Sequence, residues 1–466
     1  MRNVHIETIN PYDGVDLNQD IPIPEITKEE YEQRIRLLVE KMEQDGMTYC
    51  LVFADREHFA NMQYLTGFEP RFEESLLIVS HEGKLTLLVG NECMAYSKIS
   101  PLPLRHVLYQ NFSLQGQPRE KLVSLCEIFQ DAGINHLSKV GIIGHKYFEK
   151  EHIGAHLHKV DIPAYILEEL LKITEWQNVI NYTDRMIHPT EGIRMKLRTA
   201  TEIAYYEAVS HRASNGIIRL LKELKPGLGE LEASRLVGYD AFPISMFPIV
   251  NFGEKHVQLG LRSPNNRKLK KGEMITICYG LRGCLIARSG FAALTKNDVD
   301  SFIENFYKPY FLAIVDWYES LAIGRMYGET FNKVMGILGD SEKFGIYLNP
   351  GHLISLDEWP HSPVYEDSNI PMVSGHYLQC DIIASTQNPF CQAILEDGVI
   401  LADEALREQL RLKFPETYSR IHRRRRFMIE TLGIRISEDV LPLSNCQAIL
   451  HPYLLDQSQC FVMRNK

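Results

Sequence analysis

The sequence carries no excess of basic residues: 50 Lys and Arg stand against 60 Asp and Glu, a net charge of −10 over 466 residues. Nucleic acid and anionic membranes both reward a basic surface, so neither is expected as a main partner. No apolar run approaches the roughly 18 residues needed to span a bilayer. The start, Met1 to Asp16, is polar and acidic, without the apolar centre of a secretory signal. There is no C-x-x-C pair, and the nine cysteines, an odd number, are scattered from Cys50 to Cys460. That argues against a disulfide framework or a structural zinc site and for free thiols in a cytoplasmic protein. Repeats of solenoid period and low-complexity tracts are absent as well.

What is present is ordinary for a folded chain with a sizeable core: 45% hydrophobic, 24% charged and 10% aromatic residues. The length suggests two or three domains. Lys28 to Gln44 reads as an amphipathic helix, with Ile35, Leu38, Val39 and Met42 at helical spacing. Short apolar runs follow, and Ser75–Ser80 and Leu85–Gly90 flank His81-Glu82-Gly83-Lys84 as a hairpin. Helices are expected at Arg119–Ala132 and Ala164–Thr174, with a strand at Lys139–Gly144. Thr199-Ala200-Thr201-Glu202 is a capping box that opens a long helix, stopped by Lys225-Pro226-Gly227. Strands dominate 248–297 and 376–401, with helices between them. Helices and strands in blocks predict an α+β second half. The arginine run Arg423 to Arg426 reads as a solvated helix face or an intrachain partner for acidic surface.

Three segments carry candidate chemistry: Pro350-Gly351-His352, Gln379-Cys380-Asp381 and Leu395-Glu396-Asp397. With the helix-first layout, they resemble the creatinase/aminopeptidase P (pita-bread) superfamily. Asn61 and Tyr64-Leu65-Thr66-Gly67-Phe68 resemble its N-terminal domain. The resemblance implies a creatinase-type α/β domain over 1–187, a pita-bread domain over 188–404, and an extension over 405–466 packed on the second domain.

Metallopeptidases of this fold hold two divalent ions with two Asp, one His and two Glu. Matching motifs puts His352, Asp381 and Glu396 on three of those five positions. Arg267 to Glu273 sets the register for the two aspartates. Cys278 then stands at the first position and Leu285 or Ala287 at the second, and 274–297 contains no Asp, Glu or His at all. A dinuclear centre is therefore not expected. Creatinase works without metal, through a His six residues before Arg267 and a Glu directly before Arg288. Here those positions hold Leu261 and Ala287, with His256 five residues upstream of Leu261.

The resemblance implies a hydrolase of a C–N bond in a small amide, dipeptide or guanidino compound. It would use His352, Glu396 and Asp381 as catalytic residues and work without metal or with one divalent ion on the same three side chains. Arg262, Arg282 and Arg288 are candidate carboxylate anchors, and His361 a further substrate-binding candidate. Cys278 paired with His352 is a third route. His152 and His156 have i,i+4 spacing but no acidic or cysteine partner nearby, which fits a surface segment. The alternative is a catalytically inactive homologue that binds rather than turns over. A homodimer is implied for either.

Overall fold

The computed structural model describes residues 2–149, 154, 156–299 and 301–465. The chain divides into two compact units, one of residues 26–195 and one of residues 2–25 with 196–465. This differs from the expected 1–187 domain. The first strand, β1 (Arg2–Thr8), pairs antiparallel along its length with the last, Gln459–Asn465, and so joins the C-terminal unit.

In the unit of residues 26–195, Lys28–Asp45 is helical. Thr27 accepts from the Glu30 amide while Glu30 accepts from the Thr27 amide, and Gly46 ends the helix with a left-handed backbone. Six strands form a mixed sheet: β2 (Tyr49–Ala54), β3 (Ser75–Ser80), β4 (Leu85–Val89), β5 (Arg105–Leu108), β6 (Val140–Ile143) and β7 (Val179–Asn181). Their order is β5-β4-β3-β2-β6-β7. The expected hairpin is β3–β4, and β2 adds antiparallel to β3 and parallel to β6. Both faces of β2 and β3 are buried, with Leu51, Phe53, Leu76 and Ile78 in one cluster with Phe129 and Ile142. Two expected helices are shorter than read, at Leu125–Asp131 and Ala164–Leu170. His152 and the side chain of His156 fall outside the described residues.

The other unit is built on an antiparallel sheet. Its strands are β8 (Ile244–Phe252), β9 (Met274–Leu281), β10 (Cys284–Phe291), β11 (His352–Leu353), β12 (Tyr377–Gln387) and β13 (Phe390–Leu401), ordered β11-β12-β13-β10-β9-β8. The segment after residue 404 contributes β14 (Val440–Pro442), paired with the end of β13, and β15 (Gln459–Asn465), the partner of β1. It therefore completes this unit. The helix Ala200–Glu223 opens with the predicted box, Thr199 accepting from the Glu202 amide and Glu202 from the Thr199 amide. Its buried Glu207 accounts for one arginine of the run, Arg424, and for Arg420 just before it. Arg420 grips both carboxylate oxygens at 3.0 and 2.6 Å, and Arg424 reaches one at 2.7 Å. Arg425 is buried too, donating to Ser437 O, while Arg423 and Arg426 are exposed. No described helix is long and apolar enough to cross a membrane.

Candidate active site

Four strands align the site in one row. Cys278 lies opposite Ala287, Ala287 opposite Glu396, and Glu396 opposite Asp381. Opposed residues on antiparallel strands share a face, so these four side chains point the same way. His352 enters from β11, where it pairs with Gln379, two residues from Asp381 on β12.

The chain before His352 is held tightly. Gly351 has φ +113°, and a Cβ there would come within 2.8 Å of Gln379 O and 2.9 Å of Trp317 Nε1. Trp317 itself donates to Pro350 O at 2.7 Å. A glycine is required at this step. The His352 ring is then fixed from three directions. Its Nδ1–H donates to Leu353 O at 2.9 Å, Trp359 stacks on it with ring centroids 4.0 Å apart, and Glu358 Oε1 stands 3.0 Å from Nε2. Asp381 Oδ2 and Glu396 Oε1 lie 3.9 and 3.8 Å from the same nitrogen. None of the three acids is aligned to complete a hydrogen bond with Nε2, and Asp381 Oδ1 has no partner although it is buried. Gln379 Nε2 donates to Leu285 O at 2.7 Å and lies 3.5 Å from Glu396 Oε1.

Burial governs the protonation of this group. It pushes Asp381 up to about 6, with His352 pulling the other way. Burial, together with the Asp381 and Glu358 charges, raises Glu396 well above the carboxylate range. For His352 burial alone would lower the pKa, but Glu358, Glu396 and Asp381 overcome it and hold the imidazole well above its ordinary value. The result is an imidazolium beside carboxyl groups that differ in acidity, an arrangement able to give and take protons near neutral pH.

The residues fit one divalent ion and not two. His352, Asp381 and Glu396 can each bring a ligand atom within 4.8 Å of the others, and two of those side chains have polar atoms without an aligned partner. Across the row, Cys278 and Ala287 belong to an apolar cluster with Ile249, Leu285 and Ile394. The register makes Ala287, rather than Leu285, the residue opposite Cys278. Burial and the nearby carboxylates push the Cys278 thiol well above its ordinary value. Without a metal ion beside it, it is not a ready nucleophile.

Other expected residues are placed elsewhere. Arg288 alternates to the opposite face of β10, fully buried. It pairs with Asp397 at 2.7 Å and donates to Ile449 O and Cys446 O. This corrects its reading as a substrate anchor: its donors are spent inside the protein. Arg262 likewise pairs with Glu230 at 3.1 Å and donates to Ser263 O. His256 is 2.7 Å from the same carboxylate, which also accepts from the Phe252 and Asn265 amides. Burial would raise Glu230, but these donors hold it below the usual range. Arg282 is buried in the turn between β9 and β10. His361 bridges by its backbone to Leu353, beside His352. The structure adds Glu358 and Trp359, which the sequence motifs do not single out. The signal that distinguishes them is their place six and seven residues after His352 in one segment.

Residues 34–159 match the Creatinase/Prolidase N-terminal domain family. No curated protein matches the chain in sequence. Among solved structures, the prolidase from Pyrococcus horikoshii OT3 superposes with a TM-score of 0.59 at 15% identity, over 79% of this chain and 95% of that one. An Xaa-Pro dipeptidase from Bacillus anthracis gives 0.59 at 13% identity, over 80% and 96%. The dipeptidase PepE from Mycobacterium ulcerans gives 0.60 at 15%, over 81% and 94%. At such identities the likeness is one of fold. The chain thus carries a Creatinase/Prolidase N-terminal domain over residues 34–159 and shares the fold of these prolidase and dipeptidase structures over 79–81% of its length.

Proposed function

We propose that the protein hydrolyses a C–N bond in a small amide, dipeptide or guanidino compound, using His352, Asp381 and Glu396. The observation that supports this is the convergence of a buried imidazole and two buried carboxyl groups on one sheet face, with Asp381 Oδ1 left unpartnered. Burying such groups without partners costs stability, and that cost is common where a reacting molecule supplies the partner. In this reading, Glu396, whose burial favours the protonated form, gives its proton to the leaving nitrogen. Asp381, the more acidic of the two, accepts a proton from the attacking water. His352 remains cationic, its orientation set by Leu353 O, Trp359 and Glu358, and stabilises negative charge developing on the substrate. With the protons of His352 Nε2 and Glu396 released, His352, Asp381 and Glu396 would instead hold a single divalent ion, which would supply carbonyl polarisation and a more acidic bound water.

The experiment is a screen of dipeptides, small amides and guanidino compounds, run with metal-depleted protein and with added Mn²⁺, Co²⁺ or Zn²⁺, alongside elemental analysis. A fall in turnover of about 10²-fold or more in His352→Ala supports the reading. Turnover unchanged in that variant ends it. The second reading, a binding protein without turnover, is favoured by the apolar residues Cys278 and Ala287 in the row. Ligand binding with no hydrolysis across the screen selects it. A homodimer in a cytoplasmic setting belongs to the same proposal, and sedimentation of the purified chain tests the assembly.

A further inference from the structure

The sheet face that carries His352 is divided by residue type. One side is acidic, with Glu358, Asp381 and Glu396 around His352. The other is apolar, where Ile249, Cys278, Leu285, Ala287 and Ile394 make one cluster. The two sides meet directly, because Ala287 stands opposite Glu396. Among the described residues, no Lys or Arg pairs with the three acids. Arg288 faces away to Asp397 and Arg262 is held by Glu230. Asp381 Oδ1, in a side chain 7% exposed, lacks any hydrogen-bond donor. A buried acceptor in that state calls for a donor from outside the chain.

We infer that the site takes an organic cation with an apolar body, an alkylammonium or alkylguanidinium. Its N–H groups meet Asp381 and Glu396, and its hydrocarbon lies along Ala287, Cys278 and Ile249. Glu396, Ala287, Cys278 and Ile249 sit on four adjacent strands. Three inter-strand steps of about 4.8 Å give a floor roughly 14 Å long, enough for a chain of about six to eight carbons. This rests on reading the same residues as the active site, and it narrows the substrate. A ligand with a free carboxylate would bring a fourth acid to a group of three whose one cationic partner is His352.

The test is calorimetric titration of the full chain with n-alkylguanidinium and n-alkylammonium ions from propyl to hexyl, with 1-hexanol and hexanoate as controls. Affinity for the cations should tighten about fourfold per methylene, and hexanoate should bind at least about 100-fold more weakly than hexylammonium, the scale of one desolvated charge mismatch. Glu396→Gln and Asp381→Asn, checked for folding by circular dichroism, should each weaken hexylammonium about tenfold or more and leave hexanol unchanged. Tighter guanidinium binding assigns a forked donor, and tighter ammonium binding a compact one. Hexanoate binding as tightly as the cations, or cation affinity independent of chain length, overturns the inference. If carboxylate-bearing dipeptides are hydrolysed while the cations do not bind, this inference fails and the hydrolase reading stands. If the cations bind and nothing in the screen is hydrolysed, the hydrolase reading fails and this inference stands.

Discussion

Trp359 lies flat on the His352 imidazole, with ring centroids 4.0 Å apart and 20° between the planes. Its neighbour Glu358 approaches the edge of the same ring, 3.0 Å from Nε2. Two consecutive residues thus fix a histidine in two perpendicular directions. Stacking sets the ring plane, and the carboxylate with the Leu353 carbonyl sets the rotation within it. Nε2 is thereby held toward Asp381 and Glu396. Trp359 acts on any reaction here through His352, as a positioning residue.

The first prediction follows. Trp359→Ala should lower turnover by about 10²-fold, the scale expected when a catalytic group shifts by around 1 Å. Trp359→Phe, which keeps a stacking face, should restore most of it. His352→Ala sets the floor, about 10²–10³-fold down as for a lost group that stabilises developing negative charge. Initial rates and KM separate the cases: a positioning role moves kcat and leaves KM nearly constant. Equal losses in Trp359→Phe and Trp359→Ala would contradict it.

Glu207 carries two arginines in a space where none of the three is well exposed. Glu207→Gln should cost about 3–5 kcal/mol, because it leaves Arg420 and Arg424 buried against a neutral group. Chemical denaturation reads the loss. Adding Arg424→Met to Glu207→Gln should recover part of it, since fewer uncompensated charges then remain.

Arg288 makes the same kind of prediction and separates structure from recognition. Arg288→Met leaves Asp397 without its ion-pair partner, so the midpoint of unfolding should fall by an amount equivalent to about 3–5 kcal/mol. KM of the folded variant should match the wild type, because the side chain lies on the far side of β10 from His352. A large rise in KM with unchanged stability would return Arg288 to the site.

The pH dependence of stability has a readable histidine contribution. His451 donates from Nδ1 to Gln459 O and accepts from the Tyr12 hydroxyl at Nε2, and burial lowers its pKa to about 4. The neutral ring is the one that fits. Relative to an unfolded value near 6.5, the folded state resists the proton, so this stability is fully present above about pH 6.5 and lost as pH falls toward 4. Burial and Arg424 lower His211 to about 4 as well, with the same sign. Asp381, raised to about 6, works in the opposite direction. The comparison that isolates one group is His451→Gln, which keeps a donor and an acceptor without the titration. Between pH 6.5 and 4 its stability should fall less steeply than wild type, by up to about 1.4 kcal/mol per pH unit. Parallel curves would refute this.

The sequence shows some of these features and hides others for physical reasons. The β3–β4 hairpin is legible because uninterrupted apolar runs flank a short polar turn, and Thr199 is legible because a capping box is local. His352, Asp381 and Glu396 are legible as motifs. The β1–β15 pair is not, since strands more than 450 residues apart leave no periodic trace in either. Arg288 sits between Ala287 and Ser289 in a strand buried on both faces, and apolar content cannot say which way such a residue points. Its partner Asp397 is supplied only by the folded sheet. Glu358 has no periodic context either, being one charged residue ahead of Trp359 and Pro360.

The row across the sheet also predicts metal stoichiometry. Two neighbouring divalent ions repel strongly and need carboxylates between them to offset it. Cys278 and Ala287 stand where the row continues from Glu396, and neither supplies one. The wild-type chain should therefore bind at most one Mn²⁺ or Co²⁺ per chain in calorimetry or elemental analysis, and His352→Ala should remove it. The double substitution Cys278→Asp and Ala287→Asp puts two carboxylates on the same face, directly opposite each other and next to Glu396. That variant should bind a second ion, because the backbone register is already in place and only side chains change. Without metal it should be less stable than wild type, since two more acids then crowd Asp381 and Glu396. Added metal should restore the unfolding midpoint, a gain the wild type does not show to the same extent. Two ions bound to the unaltered chain at full occupancy would show that the row does not set the stoichiometry.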